Sequence, residues 1–176
     1  MNFELFNEKS KILINDSQNK TISMNHQQVT VEHFLISFFN MNDNYLDDVF
    51  KDLNINIDKL KNDIFKILKT KPSIVGKNLN IYFSEDLVNV FKDSLLSMSE
   101  FNDQYVSPEI IFYAILNQNN LEIFDLLINY GLNKEDFKKS LLNNRKGQII
   151  DTNTKSIENK SLKKFSIDMT ELAKNG

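Results

Sequence analysis

The chain repeats itself. Shifted by 77 positions (106 − 29 = 77), Val29-Thr30-Val31-Glu32 falls on Val106-Ser107-Pro108-Glu109, and Asn40-Met41-Asn42 falls on Asn117-Gln118-Asn119. The register continues without a gap: Leu46, Val49, Phe50, Leu53, Ile55, Asn56, Leu60 and Ile64 meet Ile123, Leu126, Leu127, Tyr130, Leu132, Asn133, Phe137 and Leu141. Upstream, Asn7-Glu8 meets Ser84-Glu85. A short unit that cannot enclose its own apolar face buries it against its copy. The duplication therefore predicts one domain of two similar halves about a pseudo-twofold axis.

Within each copy the apolar spacing is helical. Val31, Phe34, Leu35, Phe38 and Phe39 recur at i, i+3, i+4, i+7 and i+8, and Pro108, Ile111, Phe112, Ile115 and Leu116 repeat them. Thr30 and Ser107 stand where a side chain caps a first turn, Pro108 fills the first helical position, and Glu32 and Glu109 suit the positive helix end. A following helix runs through Leu46 to Leu53, or Ile123 to Tyr130, and stops at Asn54 or Gly131, residues that tolerate positive φ. Asn56 and Asn133 cap the next helix, and Asn7 and Ser84 precede the first. The count is four helices per half, an all-α fold of eight, with one strand-like patch at 78–83.

At 176 residues, 41% hydrophobic and with 14 Phe, the chain can enclose one good core. A net charge of −3 without a Lys/Arg cluster argues against nucleic acid, which is bound by concentrated positive charge. No apolar run approaches the roughly 20 residues that cross a bilayer, so no membrane partner is expected. The absence of cysteine excludes a disulfide framework and fits a reducing cytoplasm. His26 and His33, the two histidines, form no metal-binding spacing, and no nucleophile motif is present. Neither catalysis nor a cofactor is expected.

The copies end at Leu142, repeat one covering about 7–70 and repeat two about 84–142. From Asn143 the sequence turns polar, and residues 143–160 read as a flexible linker. Beyond it, Leu162, Phe165, Met169 and Leu172 give 161–176 an amphipathic pattern with nothing left in this chain to pack on.

These features resemble the N-terminal domain of Clp/Hsp100 AAA+ unfoldases. The residues that carry the resemblance are the doubled unit, Val29-Thr30-Val31-Glu32-His33-Phe34-Leu35, the spacing of Pro72, Val75 and Gly76 ahead of Ser84-Glu85-Asp86-Leu87-Val88, and Leu162-Lys163-Lys164-Phe165 through Ala173. The inter-repeat segment and tail are most similar to the ClpB disaggregase branch. Asn25 departs from the glycine common before the histidine in that family, and Asn7 replaces a capping Ser or Thr. None of Gly76, Gly131, Gly147 and Gly176 belongs to a G-x-x-x-x-G-K-[ST] phosphate loop. The resemblance implies a piece whose ATPase module would follow residue 176.

The resemblance also implies a shallow apolar groove for exposed hydrophobic segments of unfolded or aggregated polypeptides. It places Leu13, Phe91, Leu95 and Ile110 as apolar contacts and Asn7, Asp103 and Glu109 on a polar rim. Asp93 and Ser97 stand where the family is often apolar. For Leu13 and Leu95 plain core is the competing reading, and for Glu109 helix-start electrostatics. Independently, the second copy carries Tyr105, Ile110, Phe124 and Ile128 where the first has Gln28, His33, Asp47 and Lys51. Extra apolar groups need a cover, which is either the contact between halves or a partner. The expected role is client capture for a hexameric AAA+ ring. The alternatives are docking of a folded adaptor or co-chaperone, as in ClpA or ClpC, and an unrelated helical enzyme.

Overall fold

The computed structural model describes residues 1–76 and 80–158. Among the described residues eight α-helices form in two sets of four: α1 Glu8–Ser23, α2 Val31–Phe39, α3 Asn44–Asp52 and α4 Ile57–Thr70, then α5 Glu85–Ser97, α6 Pro108–Leu116, α7 Phe124–Asn129 and α8 Lys134–Arg145. One 3-10 turn, Met98–Phe101, extends α5, and two-residue strands β1 Gln28–Val29 and β2 Tyr82–Phe83 pair in parallel. The all-α reading and its eight helices agree with this architecture.

Local signals act where the sequence puts them. Asn7 and Ser84 accept the N–H groups of Ser10 and Leu87, and Asn56 and Asn133 those of Lys59 and Asp136. Asn54 and Gly131 take the left-handed conformation after α3 and α7 (φ +55° and +86°), as do Asn25 and Asn102 after α1 and the 3-10 turn (both +56°). Each pair is 77 residues apart (131 − 54; 102 − 25). Thr30 and His33 form a capping box at the start of α2, in which His33 Nδ1 accepts the Thr30 N–H, whereas Ser107 makes no side-chain cap bond.

The two halves are interlocked rather than merely apposed. Val29 of the first pairs with Phe83, and Phe6 forms an isolated parallel bridge with Val106. The second pairing is the first carried through the repeat (6 + 77 = 83; 29 + 77 = 106). Helices α2 and α6 lie at the centre, where the rings of Phe38 and Phe112 stack at 4.9 Å and Phe50 and Phe137 pack around them. All nine residues of α6 are buried, so it is a core helix with no solvent face.

Residues 143–158 differ from the linker reading. Asn143, Asn144 and Arg145 complete α8, and Lys146 and Gly147, both at positive φ, turn the chain back across the domain. Ile150 and Ile157 enter the core, and three backbone bonds tie this strap down: Ile150 accepts the Gln104 N–H, Asn153 accepts that of Glu8, and Lys155 accepts the Asn7 side-chain amide. Polar composition misled because these residues satisfy partners elsewhere in the fold. The tail pattern of 161–176, with residues 159–160, lies outside the described residues.

Candidate functional site

In the second half, a charged cluster sits where the strap leaves α8. Arg145 gives two bonds to the Asp103 carboxylate (2.8 and 2.9 Å) and one to Glu109 (3.0 Å), and Asp103 also accepts the Ile150 N–H (2.7 Å). All three charged side chains are buried. Burial opposes the Arg145 charge, but Glu109 and Asp103 outweigh it and its pKa rises. Burial likewise pushes the Asp103 carboxyl above its ordinary value, against the pull of the guanidinium. Such an arrangement holds geometry, because removing one member would strand the others uncompensated in the interior.

The first half carries different chemistry at the same place, since His26 and Glu32 correspond to Asp103 and Glu109 (26 + 77 = 103; 32 + 77 = 109). The Thr30 N–H donates to Nδ1 of His33 at 3.1 Å, which leaves the His33 proton on Nε2, facing Nδ1 of His26 at 2.9 Å. Burial, then the charges of His26, Lys71 and Lys20, push the His33 pKa down to about 4. Lys71 lies 3.5 Å from Glu32 and 2.9 Å from Glu122. A cavity of about 170 Å³ opens beside the pair, lined by Gln28, Thr30 and Tyr82 among others. Among the described residues no group of three or more His, Cys, Asp or Glu could hold a metal ion.

The structure separates the residues assigned to a groove. Leu13, Phe91 and Ile110 lie in the core, Phe91 and Ile110 with no exposed surface at all. Phe91 meets the rings of Phe3, Phe6, Phe34 and Phe83 edge-on. As apolar contacts for a partner these three are corrected: they cannot be reached in this conformation. Asn7, Asp103 and Glu109 are also corrected as an open rim, being buried as a helix cap and as members of the Arg145 cluster. Leu95 and Tyr105 remain, both half-buried against the core.

What the assignment missed is Leu96, beside Leu95 at the end of α5 and 75% exposed. Its residue type and its place on the outer side of α5, away from Leu87, Val90 and Phe91, carry that signal in sequence. Asp93 accepts a bond from Gln118 (2.8 Å) and Ser97 is buried, so both serve packing. Among the asymmetric positions, Ile110 is enclosed by the fold, Phe124 is half-buried and Ile128 is exposed. Arg145, placed in the linker by composition, was not recognised as a core residue.

The sequence matches the family described as the Clp repeat (R) N-terminal domain over residues 5–130. This chain belongs to that family. Among relatives of this Clp N-domain, chaperone protein ClpB of Rickettsia typhi is 30% identical over 177 residues, covering 100% of the chain and 20% of the relative, and that of Clostridium tetani is 26% identical. The chain thus spans about a fifth of the curated proteins it matches. The fold is shared with the Hsp104 N-terminal domain of Candida albicans (TM-score 0.72, 21% identity, 85% of this chain and 97% of that one). It is shared also with the ClpV N-domain of Vibrio cholerae (TM-score 0.67, 22% identity, 86% and 90%). No helix among the described residues is long and apolar enough to cross a membrane.

Proposed function

We propose that this domain weakly captures exposed hydrophobic segments of unfolded or aggregated polypeptides for an ATP-driven disaggregase of the ClpB type in the cytoplasm. The observation that carries the reading is the match of the whole chain to a fifth of the length of ClpB chaperones, together with the match of residues 5–130 to the Clp N-terminal domain family. The surface available for it is modest: Leu95 and Leu96 at the end of α5, and Tyr105 in the segment leading to α6. Burying roughly 250 Å² there at about 25 cal/mol per Å² yields about 6 kcal/mol, much of which is offset by ordering a flexible client. Weak binding suits a domain presented in several copies by a hexameric ring, where effective concentration makes brief contacts productive.

A second reading, adaptor docking for a protease-partnered ATPase, is favoured by the relatives with the same fold. These include ClpD of Arabidopsis thaliana, described as caseinolytic protease associated. An NMR titration with permanently unfolded casein separates the two. Client capture predicts shifts at Leu95, Leu96 and Tyr105 that saturate only at high-micromolar concentration or above. Unmoved resonances there, with shifts produced by a folded adaptor alone, would favour docking.

A further inference from the structure

Two of the three polar residues expected on a groove rim, Asn7 and Asp103, are covered by one element, the strap of residues 146–158. The third, Glu109, is joined to Asp103 through Arg145, the residue from which the strap departs. The strap lies on the domain as a bound peptide would. Its main chain accepts from the Gln104 N–H (2.8 Å), the Glu8 N–H (3.0 Å) and the Asn7 side chain (3.2 Å), and donates from Ile150 to Asp103. Of its side chains Ile150 and Ile157 are buried and Ile149 is half-buried; apart from Gly147 the remainder are polar and at least partly exposed. Gln148 closes the loop by bonding both the carbonyl and the N–H of Glu158.

We infer that the strap is an internal occupant of a peptide-binding edge, and that an extended client segment bearing an aliphatic side chain takes its place when it lifts. The inference rests on the client-capture reading and adds its regulation. The exposed strip would present two backbone N–H donors, an amide and a carboxylate acceptor, and the sockets vacated by two isoleucines. That combination fits an extended, aliphatic polypeptide strand, whose backbone supplies the same donors and acceptors whatever its sequence. Two observations favour a strap that can lift. Two buried aliphatic side chains and the half-buried Ile149 are its apolar anchorage, and the buried Asn153 Oδ1 has no hydrogen-bond partner among the described residues.

The chain has no cysteine, so the strap can be pinned by one disulfide through Glu8→Cys with Asn153→Cys, positions already joined by backbone and side-chain bonds. Binding of permanently unfolded casein to this full chain should be about ten-fold weaker oxidised than reduced, and reductant should restore it. Loosening the strap by Ile150→Ala should tighten binding severalfold. Amide exchange on the unmodified chain gives an arm that needs no client: Gln104 and Ile150 should exchange together and far faster than Phe91. Equal affinity in the oxidised and reduced forms, or exchange of all three amides only with global unfolding, overturns the strap inference. Absence of casein binding in every form, the unmodified chain included, overturns client capture instead.

Discussion

His33 and Ile110 occupy equivalent positions (33 + 77 = 110), and both are fully buried. The repeat therefore demands a core residue at this point in each half, and the first half meets the demand with a neutral histidine. Its neutrality ties folding to pH. With a pKa near 6.5 unfolded and about 4 folded, the unfolded chain binds more protons between those values. Stability is complete above about pH 6.5 and falls as pH drops towards 4, by about 3 kcal/mol in total. Urea midpoints measured from pH 7.5 to 4 should show this slope, and His33→Gln should flatten it. A wild-type midpoint constant across that window would contradict the assignment. The histidine spacing in sequence showed only that no metal motif exists; the ring-to-ring bond depends on how the Asn25 turn brings His26 back over the start of α2.

At the scale of elements, helix ends were more legible than helix faces. Asn7, Ser84, Asn56 and Asn133 cap as read, because a cap is a contact within a few residues. Asn25 and Asn102 both hold φ +56°, a conformation about 1–2 kcal/mol unfavourable for residues with an ordinary side chain. Asn25→Ala should therefore lower stability by about 1 kcal/mol while Asn25→Gly should leave it equal or raised, as measured by denaturant unfolding. Faces were read less well. The periodic stripe through Ile111, Phe112 and Ile115 describes one face only, although Ile110 to Leu116 is an unbroken apolar run. A helix without a polar side is enclosed all round, which is why Ile110 is core. Phe91 lies on the inner side of an amphipathic helix, and only the packing of four phenylalanines around it decides that nothing else can reach it.

Across the whole molecule, the pairing of Val29 with Phe83 and of Phe6 with Val106 makes each half complete the other. The stacked Phe38 and Phe112 sit at the same junction. A fragment of residues 1–76 should lack cooperative thermal unfolding by circular dichroism, and mixing it with 80–158 should restore a single transition. Independent folding of either half would show that the interlock is dispensable. The duplicated sequence alone determined the eight helices, most of their caps, the left-handed turns at Asn54 and Gly131, and the equivalence of the halves, since these follow from local spacing and from repetition. Tertiary structure decided that Arg145, Ile150 and Ile157 belong to the core and that the expected rim is covered. A polar segment looks like a linker until the fold presents unpaired backbone donors and buried carboxylates for it to satisfy, and those partners lie about 40 to 150 residues away along the chain.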